Sequence, residues 1–355
     1  MANLGGTYRL GDRTVHRMGY GAMQLAGPHV FGPPRDRDQA IGVLREAVAL
    51  GIDHIDTSDY YGPYVVNEII REALSPYPAN LTLVTKLGAR RDDKGDWLPW
   101  NEPADLEQGL RDNMERLGLE AIEVANMRSM GNPHGPEEGS IARFVEPLAR
   151  LKDQGLLRHV GISNVTRKQV DEARAITEIA CVQNAYNLAN RGDDELIDYL
   201  AAEGIAYVPF FPLGGFNPLQ SETLNGVAAK LVSSPMQVAL AWLLRRSPNI
   251  LLIPGTSSVA HLRENVAAAD LELPDEALAE LDSIAGQSSA KSALTTTRSE
   301  FHSGTAASLI GTMKRFPSGR SISRTSPAPK FSTATTVPIS LPASDSAGRP
   351  IRSAW

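Results

Sequence analysis

The sequence is poor in the features that mark secreted, membrane-spanning and zinc-cysteine proteins. Its 355 residues include one cysteine, Cys181, which excludes an internal disulfide and a cysteine cluster for zinc. No run of about 18 apolar residues suggests a membrane span. The N-terminal segment also lacks the charged start and apolar stretch of a secretory signal. These absences favour a reducing, cytoplasmic setting, with neither a metal nor a membrane as partner.

Basic charge is scarce over most of the chain. Residues 287–355 hold nine Lys/Arg and two Asp/Glu, so this segment carries +7 and, because the net charge is −6, residues 1–286 carry −13. An acidic body argues against a nucleic-acid partner. Residues 287–355 also contain 24 Ser or Thr, with scattered Pro and little apolar periodicity. We therefore predict a folded domain over residues 1–286 and a disordered basic tail over residues 287–355.

Short apolar runs alternate with helical stretches between residues 17 and 269. Several helical stretches end in a glycine that can adopt the left-handed conformation at a helix end, as at Gly51, Gly118, Gly155 and Gly204. The predicted strands are Arg17–Gly21, His54–Asp56, Leu81–Lys86, Ala121–Arg128, His159–Ser163, Cys181–Asn184, Ala206–Pro209 and Ile250–Ile253. The predicted helices are Arg37–Leu50, Asn67–Leu74, Asp105–Leu117, Ile141–Gln154, Arg167–Ile176, Asp194–Glu203, Met236–Arg246 and Val259–Ala268, with a further one near Asp275–Ile284.

This alternation favours an α/β fold of the closed (β/α)₈ TIM-barrel type over an open sheet. Before the first barrel strand, Thr7–Leu10 and Arg13–His16 flank the turn signal Gly11-Asp12. We expect these two segments to form an N-terminal β-hairpin that caps the barrel floor.

Polar side chains fall at the ends of the predicted strands, where the chemistry of such barrels takes place. Asp56 ends one strand, Lys86 ends the next, and Tyr61 follows the first of them in Asp59-Tyr60-Tyr61-Gly62. A tyrosine is a poor acid unless a cation favours its phenolate, and a buried lysine needs a carboxylate to stay charged. The three residues therefore predict an acid that protonates a carbonyl oxygen, although Tyr60 competes with Tyr61 for that role.

The chain resembles the aldo/keto reductases in six segments that follow the family's order. They are Gly19–Met23, Asp56-Thr57 with Tyr61-Gly62, Val84–Lys86, Gly161–Asn164, Val182–Asn184, and Ile253–Ser258 leading to Glu264-Asn265. The resemblance implies a nicotinamide-dependent reductase without a metal, in which Tyr61 is the proton donor and Lys86 and Asp56 assist it.

Arg128 stands where the family has a histidine that completes its catalytic tetrad. Arginine stays charged and presents a fork of donors, which favours substrates with a phenolate or another electron-rich oxygen near the carbonyl. Together with Asp59–Gly62 and the loop Pro209–Phe216, this residue resembles the bacterial pyridoxal reductase branch of the family. Pyridoxal has a ring hydroxyl next to its aldehyde and so suits this interpretation.

The resemblance also implies a set of cofactor-binding positions. They are Gly21, Ala22, Met23, Ser163, Asn164, Gln183, Phe211, Pro212, Leu213, Gly255, Thr256, Ser257, His261, Glu264 and Asn265. From the residues alone, Ser163-Asn164 is equally well read as a helix N-cap. Many relatives have a lysine in place of Gly255 and an arginine in place of His261 for the 2′-phosphate of NADPH. We expect NADPH rather than NADH, with His261 or Arg263 as substitute contacts.

These observations predict an NADPH-dependent reductase that converts an aldehyde to an alcohol, with pyridoxal to pyridoxine as the favoured reaction. A broad-specificity aldehyde reductase and a nucleotide-binding sensory subunit of a channel-like partner are the alternatives. The small-molecule aldehyde is the expected partner, and the chain is expected to be a monomer or a small homo-oligomer. Trp97 and Trp100 are placed in the long loop after the third strand, His54 in the core, and Cys181 as an inert buried thiol.

Overall fold

A computed structural model describes residues 2–130, 135–212, 214 and 221–285 of the chain. Leu213, which was expected to contact the cofactor, lies outside these described residues, as does the whole tail 287–355. The first element is the hairpin of β1 (Thr7–Leu10) and β2 (Arg13–His16), which pair antiparallel across the turn at Gly11-Asp12. The predicted hairpin is confirmed with its bounds.

The main sheet is a ring of parallel strands. Its members in chain order are β3 (Tyr20–Gly21), β4 (His54–Asp56), β5 (Thr82–Arg91), β7 (Ile122–Arg128), β8 (Leu157–Ser163), β9 (Ile179–Gln183) and β10 (Ala206–Tyr207). The eighth strand is replaced by single parallel bridges, in which Ile250 pairs with Tyr207 and Leu252 pairs with Met18. Because these bridges join the last strand to the first, the ring is closed and the predicted (β/α)₈ barrel is confirmed.

Helices pack around this ring. They are α1 (Arg37–Ala49), α2 (Val65–Leu74), α3 (Pro103–Leu117), α4 (Ala142–Asp153), α5 (Arg167–Ile176), α6 (Asp194–Ala202), α7 (Glu222–Lys230), α8 (Pro235–Arg246), α9 (Val259–Ala267) and α10 (275–285). The glycines predicted to end helices have positive φ: 96° at Gly51, 67° at Gly118, 76° at Gly155 and 70° at Gly204. The sequence did not predict α7, a nine-residue helix capped by Ser221, whose side chain accepts from the Leu224 amide.

Strand β5 extends beyond the barrel and forms a second hairpin. It pairs antiparallel with β6 (Trp97–Trp100) across a turn in which the Gly95 amide donates to the Asp92 carbonyl. The expectation that Trp97 and Trp100 lie in a loop is therefore wrong. Alternating exposed and half-buried residues form this short strand, and its four residues include a proline, so its sequence pattern is weak.

The barrel interior is filled from the floor upward by apolar side chains. The lower cluster comprises Leu10, Val15, Val84, Val124, Cys181, Ala206, Val208 and Leu251, so the hairpin side chains Leu10 and Val15 close the floor as expected. Each leucine or valine of this cluster stabilises the fold by about 1.5–3 kcal/mol through removal from water. At the opposite end of the barrel, buried polar side chains such as Asp56 and Lys86 replace the apolar ones.

No single helix in the described part of the chain is long and apolar enough to cross a membrane. The helices α7 and α8 together reach that length and composition, but a bend of 92° separates them. Six residues of α8 are buried within the protein, so its apolar side chains are used in packing on the barrel.

Candidate active site

The strand ends bring four of the predicted site residues to one mouth of the barrel. Asp56 is the last residue of β4, Arg128 the last of β7, Ser163 the last of β8 and Gln183 the last of β9. Lys86 lies within β5, beside Asn126 of β7 in the parallel register. Because parallel strands present their carboxyl ends at the same rim, these side chains converge as predicted.

Lys86 and Asp56 form a buried ion pair at the centre of this mouth. The Lys86 ammonium contacts the Asp56 carboxylate and also donates to the Thr57 carbonyl at 3.1 Å. The second oxygen of Asp56 accepts a hydrogen bond from Gln183 Nε2 at 2.8 Å. A buried charge requires a paired and hydrogen-bonded partner, and both charges here have one. Gln183, which was expected to contact the cofactor, therefore also donates a hydrogen bond to the Asp56 carboxylate.

Tyr61 lies next to this pair on the loop that follows β4. Its side chain is buried, and the Lys86 ammonium is 5.3 Å from the centre of its ring. Gly62 shapes the loop, because its φ of 100° is accessible mainly to glycine and an added Cβ would lie 2.6 Å from the Val65 Cβ. The structure thus brings Asp56, Tyr61 and Lys86 together, as the sequence predicts.

The electrostatic environment of Tyr61 differs from the one expected. Burial raises the pKa of its phenol well above the ordinary value, the Asp56 carboxylate raises that pKa further, and the Arg128 guanidinium lowers it. The sequence assigned the cationic role to Lys86, whose charge is paired here with Asp56. Arg128, the residue that departs from the family pattern, therefore favours the ionised form of this phenol.

Arg128 is partly buried and held by two contacts. Its guanidinium donates to Ser163 Oγ at 3.2 Å and lies 4.9 Å from the centre of the Phe210 ring. Burial lowers the pKa of Arg128, whereas nearby Tyr60 and Tyr61 raise it. An arginine keeps its charge in proteins, so the mouth contains a fixed cation, and among the described residues Ser163 is its one hydrogen-bond acceptor. Phe210, which was not predicted as a site residue, supports that cation.

Tyr60 forms an aromatic wall beside Tyr61. Its ring meets the rings of Tyr61 and Trp97 edge to face, each with a centroid distance of 5.4 Å. Trp97 is 40% exposed and is covered on one face by the guanidinium of Arg91, 4.0 Å from the ring centre. The second hairpin therefore reaches the mouth through Trp97. Each edge-to-face contact of the Tyr60 ring contributes about 0.5–1.5 kcal/mol of stability in addition to the burial of apolar area.

Two non-glycine residues with left-handed backbones lie among the expected cofactor positions. Asn164 has φ 61° and Phe211 has φ 59°. Such conformations are uncommon outside glycine and cluster at functional sites. Other positions of the expected cofactor set are Gly21 at the end of β3, Ala22 and Met23 in a single 3-10 turn, buried Ser163, and half-buried Pro212.

The remaining expected cofactor positions lie at and before the start of α9. Gly255 bridges to Gly21 across the barrel seam, buried Thr256 and exposed Ser257 follow, and His261, Glu264 and Asn265 lie on the helix. The amides at a helix start are donors for an anion, so this donor set fits a phosphate. Arg263, by contrast, donates to Glu46 of α1 at 2.8 Å. His261, one turn into the same helix, is exposed, and its side chain has no partner among the described residues.

His54 and Cys181 lie in the core, where they were expected from the sequence. His54 and Cys181 are both buried, and burial raises the pKa of the Cys181 thiol to about 12.

At the floor, Asp12, Glu123 and His159 bring possible metal-ligand atoms within 4.8 Å of one another in the described residues. His159 is already bonded to Asp12 at 2.7 Å and Glu123 to Arg13 at 3.3 Å, which ties the hairpin to the barrel.

The arrangement of strands and mouth residues agrees with known proteins. Residues 17–286 match the profile of the Aldo/keto reductase family. The chain belongs to this family. Accordingly, this aldo/keto reductase is an oxidoreductase that acts on CH–OH and carbonyl groups.

Individual relatives cover nearly the same part of this aldo/keto reductase. It is 64% identical over 279 residues to pyridoxine 4-dehydrogenase of Escherichia coli (strain K12), with 78% of this chain and 98% of the relative covered. It is 39% identical over 282 residues to an uncharacterized oxidoreductase of Schizosaccharomyces pombe, with 79% and 90% covered. A solved aldo/keto reductase from Klebsiella pneumoniae, in complex with NADP and acetate, superposes with a TM-score of 0.62 at 25% identity, with 78% and 94% covered.

Proposed function

We propose that this aldo/keto reductase interconverts pyridoxal and pyridoxine with NADPH, and that Tyr61 is the general acid in the reductive direction. The observation that carries the proposal is the fixed cation of Arg128 beside the phenol of Tyr61 at the barrel mouth. The 64% identity to a pyridoxine 4-dehydrogenase supports the substrate, and the Klebsiella pneumoniae structure with NADP supports the cofactor.

The roles of the residues follow from their contacts. A bound nicotinamide supplies or accepts the hydride. Tyr61 donates its proton to the carbonyl oxygen as negative charge develops there, which is general acid catalysis. Lys86 and Asp56 form a neutral pair that keeps the ammonium next to the phenol without adding net charge to the pocket. Preorganised donors of this kind lower the barrier because they need no rearrangement during reaction.

Arg128 makes the pocket suitable for an aldehyde with an adjacent phenolate. Within the part of the chain that the structure describes, its guanidinium bonds only to Ser163, which leaves other N–H groups of the fork for a substrate oxygen. Tyr60 and Trp97 provide flat apolar surface beside it, which suits an aromatic ring. A simple aliphatic aldehyde offers neither a phenolate nor a ring, so it gains less from this pocket.

The test is steady-state kinetics with pyridoxal, pyridoxal phosphate and ordinary aldehydes, each with NADPH and NADH. We expect pyridoxal with NADPH to give the highest kcat/KM. Tyr61→Phe should abolish reduction while NADPH binding, followed by fluorescence titration, stays within about twofold because the hydroxyl is lost without a change in ring packing. Tyr60→Phe is the matched control and should keep most activity. Near-normal turnover by Tyr61→Phe would refute the assignment of the acid.

The same proposal extends to the chain outside the barrel. The family match ends at residue 286, which supports our division between the barrel domain and the Ser/Thr/Pro-rich segment 287–355. Removing residues 287–355 is expected to leave pyridoxal reduction unchanged, because every proposed catalytic residue precedes that segment.

A further inference from the structure

A chain of buried polar side chains runs behind the barrel wall, on the side away from the mouth. Thr57 Oγ1 donates to Asn67 Oδ1 at 2.8 Å, and Asn67 Nδ2 donates to Asn113 Oδ1 at 2.9 Å. Thr85 Oγ1 donates to the same Asn113 oxygen at 2.5 Å. None of these four side chains is exposed to solvent. They connect β4, β5, α2 and α3 through directional bonds rather than through apolar packing alone.

Asn113 of α3 is the centre of this network. Its oxygen accepts from Asn67 and Thr85, and its Nδ2 donates to the Gly109 carbonyl at 2.7 Å. The Asn113 amide also lowers the pKa of the buried Asp59 carboxyl group. A side-chain amide has two donors and two acceptor sites, and Asn113 uses both acceptor sites and one donor in the bonds above. Loss of one partner would leave an unsatisfied polar group in the interior.

The members of the network are chain neighbours of the proposed catalytic residues. Thr57 directly follows Asp56 and Thr85 directly precedes Lys86. Successive residues of a strand point to opposite faces, so Thr85 faces α3 while Lys86 faces the mouth. The bonds of Thr57 and Thr85 therefore fix the backbone from which Asp56 and Lys86 extend.

We propose that Asn113 is a positioning residue that sets the mutual placement of Asp56 and Lys86 from behind the barrel wall. This inference rests on the proposed function, because it assigns those two residues to the chemistry. Apolar packing between α3 and the barrel allows small shifts, whereas hydrogen bonds to a single amide define direction and distance. Misplacement of catalytic groups by about 1 Å can cost on the order of 100-fold in rate, so such a fixed point has a kinetic consequence.

The main test removes one bond with little change in shape. Thr85→Val deletes the hydroxyl that donates to Asn113, and Thr85→Ser retains it. Thr82→Val is the matched control, since Thr82 lies on the same strand, is also buried, and its hydroxyl has no hydrogen bond in the described residues. Asn113→Asp is a second variant, which keeps the accepting oxygen but removes the donor to the Gly109 carbonyl.

We expect Thr85→Val to lower kcat for pyridoxal by about 10- to 100-fold while KM and the Kd of NADPH change by less than about twofold. Thr85→Ser should recover kcat to within about threefold of wild type, and Thr82→Val should match wild type. The isotope effect on kcat with deuterated NADPH should rise in Thr85→Val, because hydride transfer becomes slower relative to product release. Asn113→Asp should show the same pattern.

Two results would overturn the positioning role. One is a Thr85→Val kcat equal to that of Thr82→Val. The other is a kcat loss in Thr85→Val and Asn113→Asp with no change in isotope effect and a parallel fall in NADPH affinity, since that pattern reports general destabilisation.

Failure of the proposed function has a separate signature. If the wild type reduces other aldehydes but not pyridoxal, the substrate is wrong, and the same variants are then compared on the aldehyde that reacts.

Discussion

Replacing Asp59 by asparagine should change how the stability of this aldo/keto reductase depends on pH. Asp59 is 4% exposed and lies two residues before Tyr61. Burial raises the pKa of its carboxyl to about 7, with the Asp112 carboxylate adding to the rise and hydrogen bonds from Asn113 and Ser58 opposing it. A carboxyl group in an unfolded chain has a pKa of about 3.9.

The sign of the effect follows from these two values. Below about pH 4 the carboxyl is protonated in both states and contributes no pH dependence. Between about pH 4 and pH 7 the unfolded chain releases its proton while the folded protein keeps it, so stability falls as pH rises. The full loss is about 4 kcal/mol above pH 7, and about 2.5 kcal/mol of it falls between pH 5 and pH 8.

The assay is urea unfolding of wild type and Asp59→Asn at pH 5 and pH 8. The variant should gain about 2.5 kcal/mol relative to wild type between these pH values, whatever constant cost its altered hydrogen bonds impose. Asp93→Asn, which removes the same charge from an exposed turn, is the control and should follow wild type. Parallel pH dependences for wild type and Asp59→Asn would show that the carboxyl is not held protonated by burial.

Three further predictions follow from contacts at the mouth. Arg128→His should lower the kcat/KM ratio of pyridoxal to a simple aldehyde by about tenfold, because a charge-assisted hydrogen bond is worth about 1.5–3 kcal/mol, and an unchanged ratio would remove Arg128 from substrate choice. Because the pKa of Tyr61 is raised, its phenol stays protonated through neutral pH. The rate of reduction should therefore stay constant between pH 6 and pH 8, whereas the rate of alcohol oxidation should increase with pH. Rate profiles against pH in both directions test this. Arg263→Ala should leave the Kd of NADPH within about twofold, because Arg263 is bonded to Glu46. His261→Ala should weaken the binding of NADPH more than that of NADH. Titrations with both nucleotides test this.

Local signals in the sequence were sufficient to predict the barrel. The four helix-ending glycines have the left-handed backbone that their position requires, and the hairpin turn at Gly11-Asp12 lies where its residues indicate. The convergence of Asp56, Lys86 and Arg128 also followed, because parallel strands end at a common rim. Each of these predictions depends on residues close together in the chain or on a general rule of the fold.

Interactions between distant residues were beyond that kind of inference. Asn113 bonds to Asn67 and Thr85, which are 46 and 28 residues away, and nothing in the helical pattern of α3 indicates that its buried polar residue has those partners. Arg263 was a candidate for the 2′-phosphate, yet it pairs with Glu46, 217 residues away.

The closed ring has a consequence for the order of synthesis. Its seam joins Met18 to Leu252 and Gly21 to Gly255, so residues from the two ends of the domain must meet before the rim is complete. Arg17 reinforces that seam by donating to the carbonyls of Leu244 and Ser247 at 2.7 and 2.6 Å. A nascent chain that stops short of residue 250 lacks these bridges, so we expect it to expose two unpaired strand edges until the last barrel segment is made.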